Sequence, residues 1–325
     1  MALVKSLYAI PTWSRTAALV SEHPALQSIL GCSPSVYACY RFATKLRMHS
    51  DKLDECIAHM LTGLRAQHPD MGRDVAIDAS DLPAYANGQR FTSKGGRERS
   101  DDEFSDPDAS WGHRSAVSTR KGGGFYGYKV VMAVCSRTGL PLAWQARTAK
   151  ANESSFALPL IDAARERGFN IETCAMDKGY DLGPLYDGCE DRGIRPIMPL
   201  RLTPAVKAGA DEPPSCEHGR WQFAGSDYKR KASKWRCPTS ECKPASRWIK
   251  ASRIHPLIPR DRDRWRKLYK RRASVEREFG RLKHEWSLLP LRVGGLERVR
   301  LHADLTILAK LACALARARA VPLAA

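Results

Sequence analysis

No apolar run in this sequence is long enough to cross a bilayer. The longest, residues 305–316, also carries Lys310, whereas a spanning helix needs about 20 apolar residues. Residues 1–30 lack the charged start, apolar block and small-residue cleavage site of an export signal. A protein of the cytoplasm with no membrane partner is expected. Disulfide-like spacing is missing too: most of the ten cysteines are scattered through apolar segments, so reduced thiols are expected. There is no internal repeat. With 43% hydrophobic residues in 325 positions, the chain has material for one large domain with attachments or two modest ones. Residues 1–200 also lack charge imbalance, with 24 Lys/Arg against 23 Asp/Glu. The net charge of +18 therefore falls on residues 201–325, which hold 29 against 12. So concentrated a basic excess favours nucleic acid over anionic lipid or a merely solvated face.

Residues 1–70 form a helical N-terminal domain in this reading. Ser33 caps a helix with Pro34 at its first position, leading into 36–46, and a second helix covers 52–65. From residue 71 to 200 the pattern is α/β. Strands are expected at 75–80, 127–135, 142–148, 171–177 and 195–200, with helices at 155–167 and 183–192. A three-strand meander followed by βαβ crossovers gives a mixed sheet with flanking helices. The polar stretch 87–124 interrupts it as a loop. Residues 201–260 form an insert with Pro-rich edges, clustered cysteines, Trp221, Trp235, Trp248 and many basic residues. Residues 261–325 return to the core with helices over 262–286 and 298–319.

Asp78 lies inside an otherwise apolar strand, where an unpaired carboxylate is costly, so a cation should lie near it. Asp177 ends a second strand. Two acids at the ends of core strands can converge on divalent cations; for either alone, capping a turn is an equal reading. In the helix over 262–286, Tyr269, Arg272, Glu276 and Lys283 fall on one stripe roughly 60° wide, beside an apolar stripe of Leu268, Val275, Phe279, Leu282 and Trp286. Glu278, about 200° from its neighbour-but-one Glu276, is expected to face solvent in a weak ion pair.

The spacing Tyr269-x2-Arg272-x3-Glu276-x6-Lys283 resembles the Y-R-E-K signature of bacterial insertion-sequence transposases with a DDE triad. The segments around Asp78, Tyr126-Gly127-Tyr128-Lys129 and Asp177-Lys178-Gly179-Tyr180 are similar to that group's motifs in the same order. The resemblance covers about residues 74–290 and implies a ribonuclease H-like fold with an insert before the glutamate helix. It implies Asp78, Asp177 and Glu276 as catalytic carboxylates for two Mg²⁺ ions, with Mn²⁺ as a substitute. It further implies Tyr269, Arg272 and Lys283 as contacts to DNA phosphates near the transposon end, double-stranded DNA of both transposon end and target as partner, a homodimer pairing two ends, and a place on the nucleoid. Two other readings stay open: an inactive DNA-binding protein derived from a transposase, and a ribonuclease H-like nuclease.

The insert carries Cys216-x-His218 and Cys237-x4-Cys242, four ligand types able to close a structural Zn²⁺ site of zinc-ribbon type. The spacing departs from the commoner C-x2-C knuckle, and His255 is a substitute ligand. Free thiols in a β-rich insert are the alternative.

Overall fold

The computed structural model describes residues 1–89, 104–114, 121–204 and 206–320. Five helices come first: α1 (Ala2–Leu7), α2 (Trp13–Glu22), α3 (Pro24–Leu30), α4 (Val36–Met48) and α5 (Ser50–Gln67). The cap of α4 is Ser35, whose hydroxyl accepts from the Ala38 N–H at 3.2 Å. Ser33 and Pro34 therefore precede the helix and do not start it. In α5, Leu53, Ile57, Leu61 and Leu64 recur at helical spacing and are buried, packing against the C-terminal helix α10 (Leu296–Ala320).

The main sheet follows from runs of β-branched and apolar residues. Strands β1 (Asp74–Pro83), β3 (Gly123–Cys135) and β4 (Pro141–Thr148) form an antiparallel meander. On the other edge of β1, β5 (Thr173–Ala175) and then β6 (Arg195–Ile197) join in parallel. These short parallel strands are connected through α6 (Ala157–Glu166) and α7 (Gly183–Asp191). The order is β4-β3-β1-β5-β6, a mixed sheet with flanking helices of ribonuclease H-like character.

Two expectations need correction here. The stretch 87–124 is not all loop: β2 (Ser110–Arg114) pairs with Gly123–Gly127, extending the β3 edge beyond β4. Within it, residues 90–103 and 115–120 lie outside the described residues. The helix over 262–286 is two helices, α8 (Asp263–Lys270) and α9 (Ala273–His284), with a turn at Arg271 and Arg272.

The insert is β-rich, as expected. A short hairpin, β7 (Ser215–Cys216) and β8 (Gly219–Arg220), precedes an antiparallel sheet of β9 (Gln222–Asp227), β10 (Ala232–Arg236) and β11 (Ser246–Lys250). Trp221, Trp235 and Cys237 make its own small core. No helix among the described residues is long and apolar enough to cross a membrane.

Candidate active site

Parallel pairing of β1 with β5 matches Ala76 to Ala175. Two residues further on stand Asp78, still within β1, and Asp177, past the end of β5, near enough for the Asp177 charge to act on the Asp78 carboxyl. The strand β5 ends before Asp177, which instead caps a one-turn 3₁₀ helix, Lys178–Tyr180, its carboxylate accepting from the Gly179 N–H at 2.7 Å. Asp177 thus caps a turn and also lies near Asp78.

The third carboxylate arrives from α9. Arg272 Nη1 donates to Asp78 Oδ2 at 3.0 Å and Nη2 to Glu276 Oε1 at 2.6 Å. One guanidinium therefore ties residues 198 positions apart to a single point. Val275, Phe279 and Leu282 fix the helix by burying their side chains in the core, and Glu276 is left on the rim with its side chain 53% exposed. Tyr269 stands on α8, before the turn at 271–272. Its ring stacks on Trp265 at 5.0 Å in a side cluster with Ile258 and lies 5.9 Å from Arg272. Lys283 is only 12% exposed and lies 3.5 Å from Asp81, which Arg114 also approaches at 3.2 Å.

Burial pushes the Asp78 carboxyl up to about 7, helped by the nearby charges of Asp177 and Glu153 and opposed by the Ala79 N–H and by Arg272. An acid so placed ionises readily only when cationic charge is near. Asp78 and Glu276 are joined through Arg272, but the carboxylates of Asp78, Asp177 and Glu276 do not close into one tight ligand group: among the described residues the group so gathered is Cys216, Cys237 and Cys242.

Neighbouring residues complete the surroundings: Lys129 and Tyr180 from the motifs quoted above, and Glu153, Asp181, Arg253 and Arg260, which the sequence did not single out. Glu153, in the one-turn helix preceding α6, pairs with Lys129 of β3 at 2.6 Å. Among the described residues the hydroxyl of buried Tyr180 has no hydrogen-bond partner, and burial followed by the charges of Asp78, Glu153 and Asp177 raises its pKa well above the usual range. Asp181, fully buried, meets Arg253 at 2.8 Å and Arg260 at 3.8 Å, clamping the end of the insert to the loop that carries Asp177. The partners in these pairs are far apart in sequence and give no periodic signal.

Glu278 does not face solvent. It is 1% exposed and meets Lys310 of α10 at 2.9 Å. The 200° separation from Glu276 holds, but the two acids flank the apolar stripe on opposite sides, and α10 covers the Glu278 flank.

In the insert, the thiols of Cys216, Cys237 and Cys242 lie within 4.8 Å of one another. His218 is not part of this group; its ring faces Glu217 and Glu241 at 3.4 Å each. In the tight β7–β8 hairpin, His218 falls in the turn between the strands and points off the cluster. His255 is likewise outside it. The Cys216 and Cys237 sulfurs are 3.8 Å apart, far beyond a disulfide bond and close to the roughly 3.8 Å edge of a tetrahedron with 2.3 Å zinc–sulfur bonds.

No curated protein matches the sequence at a significant level. A family profile for the transposase DDE domain matches residues 69–311, which include β1, β5, the insert and α9. By this match over most of its length, the chain belongs to the transposase DDE domain family and is a DNA transposase, an enzyme that cleaves and joins DNA strands.

Proposed function

We propose that Asp78, Asp177 and Glu276 form the divalent-metal site on which a DDE transposase depends, holding two Mg²⁺ ions or Mn²⁺ in their place. The observation that carries this reading is the double contact of Arg272 with Asp78 and Glu276: a cation already occupies the meeting point of two acids, one of them deeply set. When bound, the metal ions activate a water or 3′-OH and stabilise the leaving oxygen in in-line displacement at phosphorus. The chain's own residues orient that exchange. Arg272 balances the carboxylates and offers a planar fork to a phosphate, and Glu276 keeps an exposed oxygen on the rim.

Tyr269 and Lys283 complete, with Arg272, a Y-R-E-K set of contacts to the transposon end. Lys283 would exchange Asp81 for a phosphate oxygen, and Tyr269 would use its position beside Arg272. Joining both ends of an element calls for a homodimer, working in the cytoplasm at the nucleoid. The three thiols fit a structural Zn²⁺, with His218 two residues from Cys216 as the fourth ligand after a side-chain turn.

Asp78→Asn, Asp177→Asn and Glu276→Gln test the assignment. Each should lower Mg²⁺-dependent cleavage and strand joining by at least about 10³-fold, equivalent to about 4 kcal/mol of transition-state stabilisation, while DNA-end affinity is retained. Wild-type rates in any one of the three would remove that residue from the site.

A further inference from the structure

Away from the carboxylates, the N-terminal helices and α10 enclose a cavity of about 380 Å³. Its wall carries Lys5, Arg47, Arg292 and Arg298, together with Trp13 and Tyr40, and no carboxylate lines it. Lys5 decides what the cavity is for. It is 7% exposed, its ammonium lies 5.9 Å from the Trp13 ring, and among the described residues it has no anionic partner. The three arginines likewise pair with no described carboxylate; Arg47 reaches the Thr44 hydroxyl at 3.1 Å, and Arg292 lies over the Tyr85 ring at 5.1 Å. His302, also on the wall, is held neutral, its pKa lowered to about 4 by burial and by the nearby Lys5 charge. A buried ammonium without a counter-ion is costly, and burial brings the Lys5 pKa down to about 8. Four cations around an apolar, aromatic floor are complementary to one kind of ligand: a flat ring system carrying phosphate. The volume lies in the lower range of small-ligand pockets and matches a single nucleotide.

We propose that this cavity is a nucleotide-binding pocket, taking the phosphate on Lys5, Arg47 and Arg298 and the base against Trp13 and Tyr40. Its position favours a nucleotide within a DNA strand. Arg292 of its wall covers the ring of Tyr85, two residues past the end of β1, the strand that carries Asp78. This extends the transposase reading to a second DNA contact but is tested without cleavage.

The test uses full-length Glu276→Gln protein in metal-free buffer, with a Lys5→Met version and an Arg298→Ala version. Thermal shift and fluorescence titration are run with inorganic phosphate, a deoxynucleoside monophosphate, and a single-stranded oligonucleotide. The nucleotide or oligonucleotide should stabilise the parent, and Lys5→Met and Arg298→Ala should each weaken that binding about tenfold or more. Lys5→Met should at the same time unfold at a higher temperature without ligand, because it removes an unpaired buried charge. A response to the oligonucleotide but not the monophosphate identifies a strand in transit; a response to both identifies a pocket open to free nucleotides. Unchanged binding in both variants overturns the proposal, as does a response to inorganic phosphate equal to that of the nucleotide. Because no cleavage is scored, failure here leaves the assignment of Asp78, Asp177 and Glu276 to its own assay.

Discussion

Glu278→Gln places two familiar rules in opposition. Breaking a buried ion pair generally costs about 3–5 kcal/mol, because the abandoned charge stays in the interior. The Glu278 carboxyl, however, is raised to about 7: desolvation outweighs the attraction of Lys310. In the unfolded chain this acid ionises near 4.3. Between these values the native state holds a proton that the unfolded state has released, so stability falls as pH rises through that window and levels off above it. The loss amounts to about 4 kcal/mol, from 1.36 kcal/mol per pH unit. Glutamine copies the shape of the protonated acid and carries no such penalty. Urea unfolding should therefore show Glu278→Gln close to wild type at about pH 4.5 and more stable by about 4 kcal/mol at about pH 8. The contributions of Asp78 and Asp304, whose carboxyls are also raised by burial, cancel in the difference. A variant destabilised at pH 8, or a gap that does not change with pH, would show that Lys310 attraction dominates and refute the argument. DNA cleavage should be spared in either case, since Glu278 lies on the α10 flank and not at the rim where Glu276 stands.

The remaining expectations concern metal and salt. Protein purified without added metal should contain about one zinc per chain, and Cys237→Ser should lose it and loosen the insert; folded, active protein free of zinc would retire the site. DNA affinity should fall on the order of 10³-fold between 50 and 200 mM salt for about six phosphate contacts, and a flat response would dissociate the basic C-terminal part from DNA.

What could be read from sequence was local. Alternating and apolar runs located β1, β3 and β4 closely, and helical spacing located α4, α5 and α6. Strand β2 escaped because Ser110-Trp111-Gly112-His113-Arg114 is polar and pairs with the glycine-rich start of β3, so no apolar alternation marks it. The break at Arg271 and Arg272 escaped because neither glycine nor proline signals it. Asp78 could be suspected from its apolar neighbours alone, and Glu276 from its offset to Arg272. Glu278 was misjudged because its environment is set by α10, some thirty residues further on, and helix phase carries no information about what lies across from a face. The same reason hid the Glu153–Lys129 and Asp81–Lys283 pairs. For the thiols, spacing brought the correct cysteines into view, while the side-chain direction at His218 depended on a hairpin that spacing does not describe.

The acids of the sheet and the cations around them divide the work of stability and function. Asp78 in the middle of an apolar strand weakens the fold at neutral pH by the same linkage that applies to Glu278, since its carboxyl too is raised to about 7. Yet the two are managed differently. Glu278 has a fixed partner, Lys310, that is itself buried and has nowhere to go. Asp78 has Arg272, a half-buried fork shared with the exposed Glu276 and standing at the turn between α8 and α9. An arginine that binds two acids with its two terminal nitrogens can release both when another cation takes them, and it then presents the same fork to phosphate. In the proposed site, metal and DNA would therefore take opposite halves of one ion-pair network, and filling one half would free the other. Metal affinity and DNA-end affinity would then support each other through Arg272, and the penalty of burying Asp78 would be relieved when both are bound.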